Sequence, residues 1–300
     1  MADSAYEKYS YGEHYLQNVY VHIPPSPAPA NTGYWIVYIH GGAWRDPDIL
    51  APSFKATQDH LLSDSSVSSS IAGIASIDYR LSAHPNHPQD ANSLKASEYR
   101  NAKHPEHIHD VRDGLALLQT KYGFGERYVL AGHSCGGTMA FQVVMNRVLG
   151  AGEVVRPLAV VSVAGVTNLA GLVQEKAHIG AYREFVTGAF GDEADGKVWG
   201  AVSPAVDGEG AGGVVDSWKN GRVVVMGFSV NDEALPGSQL GFMKGTVDAW
   251  VAAGGGDAGV ERRVRIVEDM VETHDGMWIN GKEVAGVIAI GIRELKDMHV

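Results

Sequence analysis

Apolar and polar positions are arranged along the chain in blocks that distinguish strands from helices. Short runs rich in β-branched and aromatic residues predict strands at 34–39, 71–79, 128–131, 157–164, 222–228 and 263–268, of which 34–39 and 157–164 are expected to be buried. Apolar residues at helical spacing predict helices at 54–62, 138–149, 240–251 and 283–295, and a helix from Pro105 that carries Val111, Leu115 and Leu118 on one face. This alternation predicts an α/β fold with a mostly parallel sheet and helices on both faces.

Three segments depart from the alternation of strands and helices. Residues 15–23 alternate apolar and polar positions and stop at two prolines, which predicts an edge strand. Residues 83–103 are polar and contain several prolines, so we expect a long loop. The segment at about 167–200 predicts two short helices inserted over the sheet as a cap. Because apolar runs are spread evenly along the chain, we expect a single domain, 1–300, that includes this cap.

Charge and cysteine content exclude several classes of protein. The 24 basic and 35 acidic residues give a formal charge of -11, which repels nucleic acid and anionic membranes, so we expect neither as a partner. The single cysteine, Cys135, excludes an internal disulfide framework. Residues 1–13 are polar and acidic, unlike a secretory signal, and no apolar run is long enough to cross a bilayer. We therefore expect a soluble cytoplasmic protein.

The pattern Gly-x-Ser-x-Gly follows the strand that begins at Tyr128. The serine is Ser134, and Gly132 and Gly136 flank it two positions away on each side. A serine at a tight turn between a strand and a helix needs small neighbours, because the flanking segments nearly touch. The helix dipole there favours developing negative charge. Ser134 is the predicted nucleophile.

A serine nucleophile needs a base, and the base needs a carboxylate to orient it. In enzymes with such a serine turn, the acid and then the histidine follow along the chain, each on a loop after a strand. Asp232 follows the strand 222–228 and is the predicted carboxylate. Neighbouring Glu233 is the competing acid, and a solvated turn acid is the alternative for both. His274 is the predicted base, since His299 at the chain end is the only other histidine beyond Asp232.

An oxyanion hole is expected beside Ser134, formed by the main-chain N–H of Cys135 and by N–H groups after an earlier strand. The loop His40-Gly41-Gly42-Ala43-Trp44 follows the strand 34–39. Gly41 and Gly42 are the predicted donors there, with Ala43 as a further candidate. Trp44 is a predicted substrate contact because it shares this loop, although packing in the core is its alternative role.

Two other chemistries are alternatives for these residues. Cys135 is a candidate thiol nucleophile, but the turn places Ser134 at its tip. Five histidines within 26 positions resemble a metal site: His84, His87, His104, His107 and His109. Prolines interrupt this group, and no two of its members have the i, i+4 spacing of helical metal ligands. We therefore predict no metal and no cofactor.

Together these motifs resemble the α/β-hydrolase superfamily, and in particular the fungal-type kynurenine formamidases. The segments that carry the resemblance are His40-Gly41-Gly42-Ala43-Trp44-Arg45-Asp46-Pro47, Asp78-Tyr79-Arg80-Leu81-Ser82, His104-Pro105-Glu106-His107-Ile108-His109-Asp110-Val111, the serine turn, and the Asp232 and His274 loops. The resemblance implies hydrolysis of N-formyl-L-kynurenine to L-kynurenine and formate, a step of tryptophan breakdown toward NAD. Members of this family are often dimers, so a homodimer is the expected assembly.

Two other functions are compatible with the same fold. A carboxylesterase for small acyl esters uses the same catalytic groups, and only the pocket separates it from a formamidase. Some proteins of this fold have lost catalysis and act as ligand receptors or adhesion modules. A receptor would have an incomplete triad, whereas Ser134, Asp232 and His274 are all present here.

Overall fold

A single sheet lies at the centre of the computed structural model, which describes residues 6–192, 198–206, 211–255 and 259–300. Within these ranges the strands are β1 (Glu7–Ser10), β2 (Asn18–His22), β3 (Tyr34–Ile39), β4 (Ile71–Ile77), β5 (Tyr128–His133), β6 (Ala159–Val163), β7 (Val223–Ser229) and β8 (Arg263–Met270). Their order across the sheet is β1-β2-β4-β3-β5-β6-β7-β8. Neighbours from β4 to β8 are parallel, and β2 pairs antiparallel with both β1 and β4. The mostly parallel sheet is confirmed.

Helices cover both faces of the sheet. They are α1 (Lys55–Ser63), α2 (Glu106–Tyr122), α3 (Cys135–Gln142), α4 (Asn146–Leu149), α5 (Leu169–Glu175), α6 (Gly180–Phe190), α7 (Val198–Val202), α8 (Val214–Ser217), α9 (Ser238–Gly254), α10 (His274–Asn280) and α11 (Lys282–Asp297). Successive side chains of a strand point to opposite faces. In β6, Val161 faces Gly291 of α11, whereas Ser162 faces Gly137 of α3. These two helices therefore lie on opposite sides, as the α/β prediction requires.

Two sequence predictions of secondary structure were wrong in detail. The strand expected at 15–23 is β2, and it is not an edge strand because β1 pairs along its outer side. The four residues of β1 are mostly exposed and lack an apolar pattern that would have revealed them. The helix expected at 138–149 is divided into α3 and α4, because Met145 between them is extended.

The segment expected to form a cap lies between β6 and β7. It contains α5 and α6 and the start of α7, while residues 193–197 of the expected insertion lie outside the described ranges. The expected loop at 83–103 has no helix or strand. None of the described helices combines the length and the apolar character needed to span a membrane.

The loops that carry the predicted site residues meet at one edge of the sheet. They follow β3, β5, β7 and β8, which are parallel, so their carboxyl ends lie on the same side. The fold therefore brings together four segments that are widely separated in the sequence.

Candidate active site

Ser134 occupies the turn between β5 and α3 in a strained conformation. Its φ is 54° and its ψ is -126°, a region that residues with a Cβ rarely adopt. The turn is held because the Ser134 N–H donates to the carbonyl of Val163 at 2.9 Å and its own carbonyl accepts from the Gly137 N–H at 2.9 Å. These bonds fix the direction in which the serine side chain leaves the turn.

The two glycines of the serine motif are required by close main-chain contacts. A Cβ on Gly132 would overlap the main chain of Gly136, and a Cβ on Gly136 would overlap the carbonyl oxygen of Ile39 in β3. Any side chain at either position would push α3 away from the sheet. The motif is therefore a packing requirement as well as a chemical signature, as the sequence predicted.

His274 and Asp232 form an ion-pair geometry at the ends of β8 and β7. The Nδ1 of His274 lies 2.9 Å from Oδ2 of Asp232 and 3.1 Å from Oδ1. The Asp232 side chain is 1% exposed, and its Oδ1 accepts the N–H groups of Ala234 at 2.9 Å and Leu235 at 2.8 Å. A carboxylate held by several donors in this way keeps the imidazole in one orientation.

Glu233, the competing acid, has a different partner. Its Oε2 accepts the main-chain N–H of His274 at 3.1 Å, whereas the bonds to the ring Nδ1 come from Asp232. The two adjacent acids therefore hold the same histidine at two points, Asp232 at the side chain and Glu233 at the main chain. This geometry favours Asp232 as the carboxylate that orients the base.

Ser134 and His274 line the same cavity, which has a volume of about 230 Å³. Because Nδ1 of His274 is engaged by Asp232, Nε2 is the nitrogen left to accept a proton from a serine hydroxyl. The arrangement has the order and the roles of a Ser-His-Asp triad. It can activate a hydroxyl for attack on an acyl carbon.

His133 is a component of the site to which the sequence analysis assigned no role. It is buried, and its ring lies 4.6 Å from the His274 ring, centroid to centroid. Burial, with a smaller contribution from His274, holds the pKa of the His133 imidazole well below its ordinary value. A neutral ring therefore packs beside the candidate base, so it adds no positive charge when His274 is protonated. Its position before Ser134 in the motif was the only signal in the sequence.

The loop after β3 supplies the other side of the site. Gly42 and Ala43 line the cavity, and both have positive φ, at 95° and 49°. Cys135 also lines the cavity, and as the first residue of α3 its N–H has no acceptor within the helix. The main chain of Gly41 packs against Ser134, because a Cβ there would lie 3.2 Å from Ser134 Cβ. Gly41 is not among the described lining residues, and the N–H groups of Ala43 and Trp44 bond to the Cys135 sulfur, so Gly42 stays the predicted donor of this loop.

Two buried aromatic rings fix the start of this loop. The His40 ring stacks on the Tyr79 ring with 4.3 Å between centroids, and its Nδ1 lies 2.8 Å from the Gly41 carbonyl. The Tyr79 hydroxyl donates to the carbonyls of His40 and Gly41, each at 3.2 Å. These contacts hold the first two residues of the loop in place. Tyr79 belongs to a motif that the sequence analysis quoted without assigning it a role.

Cys135 is placed as a structural thiol and not as a nucleophile. The residue is 1% exposed, against 9% for Ser134, and its Sγ accepts the Trp44 N–H at 3.3 Å. Burial raises the pKa of the thiol to about 11, so the reactive thiolate is disfavoured near neutral pH. The sulfur links the serine turn to the loop after β3.

Core packing of Trp44 is observed, whereas its contact with a substrate stays a prediction. It lines the cavity and is also almost fully buried. Its ring is perpendicular to that of Phe190 at 4.9 Å and lies 6.2 Å from that of Phe185, both from α6. Phe185 and Tyr182 line the same cavity. Trp44 from the loop after β3 and Tyr182 and Phe185 from α6 therefore form one aromatic side of the cavity, here called the aromatic wall.

The structure does not gather the five histidines of residues 84–109 into one metal site. His107 Nε2 lies 3.0 Å from the Ser82 hydroxyl, and the His104 ring packs against Phe190. Among the described residues, one group could hold an ion by geometry alone, with ligand atoms within 4.8 Å of one another: Asp46, Asp48 and His87. Its members are not buried, and such groups are common without an ion. The absence of a metal stays a prediction.

Comparison with known proteins agrees with this architecture. Residues 36–189 match a family model described as alpha/beta hydrolase fold. The chain is 37% identical over 274 residues to a kynurenine formamidase-like hydrolase of Fusarium equiseti, covering 89% of this chain and 86% of that protein. It is 33% identical over 260 residues to a kynurenine formamidase of Aspergillus versicolor, covering 82% and 84%.

Solved structures of low sequence identity share the fold. Esterase B from Lactobacillus Rhamnosis has a TM-score of 0.57 at 17% identity and covers 89% of this chain and 75% of its own. An esterase of Pyrobaculum calidifontis has a TM-score of 0.56 at 18% identity and covers 93% and 81%. These similarities concern the fold alone, whereas the two fungal relatives are similar in sequence over most of their length. The chain belongs to the alpha/beta-hydrolase family, and within it to the group of kynurenine formamidase-like hydrolases.

Proposed function

We propose that this protein hydrolyses N-formyl-L-kynurenine to L-kynurenine and formate by means of Ser134, His274 and Asp232. The observation that supports this most directly is one cavity lined by Ser134, by His274 in contact with Asp232, and by the aromatic side chains Trp44 and Phe185. The names of the fungal relatives support the same substrate.

In the first half of the reaction, Ser134 Oγ attacks the formyl carbon while His274 Nε2 accepts its proton. The carbonyl oxygen becomes an oxyanion, stabilised by the N–H groups of Cys135 and of the loop after β3, to which Gly42, Ala43 and Gly41 belong. His274 then protonates the aniline nitrogen, the C–N bond breaks, and L-kynurenine leaves. The formyl group stays on Ser134 as an ester.

In the second half, water attacks the formyl ester while His274 Nε2 takes its proton. The bond to Ser134 Oγ breaks, the serine regains the proton from His274, and formic acid leaves and releases its proton to water as formate. Throughout the reaction, Asp232 accepts a hydrogen bond from Nδ1–H of His274 and stabilises the imidazolium form. No other group is required for the atoms and charges to balance.

The aromatic lining of the cavity is compatible with the aryl amine part of an arylformamide. A formyl group carries only hydrogen on its carbonyl carbon, so it needs little space beside Ser134. An aryl amine needs a larger aromatic surface, which Trp44, Phe185 and Tyr182 provide. An aryl amine is also a better leaving group than an alkyl amine.

The test compares hydrolysis of N-formyl-L-kynurenine, followed by absorbance, with hydrolysis of p-nitrophenyl acetate. Both are measured on the wild type and on Ser134→Ala, and a fluorophosphonate probe reports whether Ser134 is activated. We expect a far higher kcat/KM for the formamide, and loss of both activities and of labelling in the variant. Hydrolysis of the ester alone would assign the protein to the carboxylesterases. Absence of hydrolysis and of labelling would reject the catalytic function.

We also propose that the protein acts in the cytoplasm on this small molecule, without a cofactor and without binding nucleic acid or membranes. The acidic net charge of -11 supports the last two statements. A homodimer is the proposed assembly, by similarity to the family. Light scattering of the purified protein gives the mass that tests it.

A further inference from the structure

The catalytic cavity has one strongly basic side chain among its described lining residues. Arg45 is the only lysine or arginine there, and Asp46 and Asp275 are the lining acids. The chain as a whole carries -11, so a ligand with a carboxylate is repelled at long range. A carboxylate that enters this cavity therefore needs a local cation, and Arg45 is positioned to supply it.

Arg45 is held in place but keeps hydrogen-bond donors free. Its side chain is 11% exposed, and Nη1 donates to Oε1 of Glu184 at 2.7 Å. Its guanidinium carbon lies 5.8 Å from the centre of the Phe185 ring. A guanidinium has five N–H donors, and in the described part of the chain only Nη1 has a hydrogen-bond partner. Nε and Nη2 remain for a ligand.

The partner of Arg45 does not block such a ligand. The Glu184 side chain is 55% exposed, and Glu184 is not among the described residues that line the cavity. A carboxylate from the cavity can bind the remaining donors in the bidentate geometry that guanidinium favours. Because Arg45 is mostly covered by protein, this interaction is less screened than one at the surface.

We propose that Arg45 forms a carboxylate subsite, which selects arylformamides whose ring carries an amino-acid side chain. This inference rests on the proposed function and adds the group that recognises the far end of the substrate. Phe185 contacts both Trp44 and Arg45. A substrate ring on this aromatic wall thus lies next to the guanidinium, while its formamide faces Ser134.

The experiment compares two substrates that differ only in the carboxylate. N-formyl-L-kynurenine carries it, and N-formylkynuramine has the same ring, ketone and amine without it. In Arg45→Gln we expect kcat/KM for N-formyl-L-kynurenine to fall by about 10- to 100-fold, mainly through KM. The value for N-formylkynuramine is expected to change by less than about threefold, since it has no carboxylate to lose a partner.

Two variants control for a merely structural role of Arg45. Glu184→Gln weakens the same ion pair but keeps the cation, so its preference between the two substrates should remain that of the wild type. Arg183→Gln removes a neighbouring arginine on α6 that lines a different groove and contacts Trp199. This variant should leave kcat/KM unchanged for both substrates. If Arg45→Gln and Glu184→Gln reduce kcat/KM equally for both substrates, Arg45 only holds α6 in place and the subsite is rejected.

A second measurement separates this inference from the proposed function. L-kynurenine and kynuramine are tested as competitive inhibitors of p-nitrophenyl acetate hydrolysis, in the wild type and in Arg45→Gln. The subsite requires that L-kynurenine binds more weakly to the variant, by a factor similar to the fall in kcat/KM for N-formyl-L-kynurenine. The binding of kynuramine should not change. Equal inhibition constants in both proteins overturn the subsite even when N-formyl-L-kynurenine is hydrolysed. A wild type that does not hydrolyse N-formyl-L-kynurenine overturns the proposed function, whatever Arg45 binds.

Discussion

Replacing Asp232 by asparagine tests the orientation of the candidate base most directly. In the structure, Oδ1 of Asp232 accepts the N–H groups of Ala234 and Leu235, and both carboxylate oxygens face Nδ1 of His274. Asparagine must keep its oxygen towards the two main-chain donors, so its NH₂ group faces Nδ1. The ring then has to accept at Nδ1 and carry its proton on Nε2, where it cannot take one from Ser134.

The expected loss follows from this change of tautomer. A triad with the wrong tautomer loses about 10⁴-fold in kcat, which corresponds to about 5.5 kcal/mol of transition-state stabilisation. The assay is hydrolysis of N-formyl-L-kynurenine, with fluorophosphonate labelling of Ser134 as a second readout. The size of asparagine matches aspartate, so thermal unfolding should show a folded protein and thereby separate lost chemistry from lost structure.

Glu233→Gln is the matched control for Asp232→Asn. A glutamine oxygen can still accept the main-chain N–H of His274, so we expect a loss of less than about tenfold. If Glu233→Gln lost more activity than Asp232→Asn, the assignment of the two acids would be reversed. Similar small losses in both variants would mean that neither carboxylate orients the base, and the triad itself would be refuted.

Three further predictions follow from the packing of the site. Gly136→Ala should lower the free energy of unfolding by at least about 3 kcal/mol, because the added Cβ overlaps a β3 carbonyl. Its control is Gly245→Ala on α9, where the Cβ meets open space and should raise the free energy of unfolding by about 1 kcal/mol. Chemical denaturation measures both values. Cys135→Ala should keep kcat within about tenfold of the wild type and remain labelled by a fluorophosphonate, because its thiol is protonated; loss of labelling would implicate the sulfur in the chemistry. Burial lowers the pKa of His107 in the folded protein to about 3, whereas in the unfolded chain this histidine has its ordinary pKa of about 6.5. Below a pH of about 6.5 the unfolded chain therefore binds a proton that the folded protein does not, and stability falls as the pH decreases. When the pH is lowered from 7 to 5, the free energy of unfolding should fall by about 2 kcal/mol less in His107→Gln than in the wild type. An equal fall in both proteins would show that His107 does not cause the loss of stability.

The order of the site along the chain was accessible from the sequence for a physical reason. Ser134, Asp232 and the loop after β3 follow apolar strands, whereas β8 before His274 alternates apolar and charged residues. Parallel strands present their carboxyl ends at one edge of the sheet. The strand before Ser134 and the strand before Asp232 were both strongly apolar, so their ends could be located. The same argument fails for β1, whose four mostly exposed residues have no apolar pattern.

The choice between adjacent acids and the surroundings of Trp44 were not accessible in this way. Asp232 and Glu233 lie on one turn, and only the main-chain donors after Asp232 decide which side chain turns towards His274. The rings against Trp44 come from α6, which is far away in the sequence and lies over the sheet only in the folded chain. Local composition carries no information about such contacts.

The double attachment of His274 affects the entropy of the reaction. A histidine on a loop loses side-chain and main-chain freedom when it takes up the geometry needed for proton transfer. Here Asp232 and Glu233 fix the ring and the main chain before any substrate arrives. The conformational entropy of the base is therefore lost once, when the chain folds, and not again in every catalytic cycle.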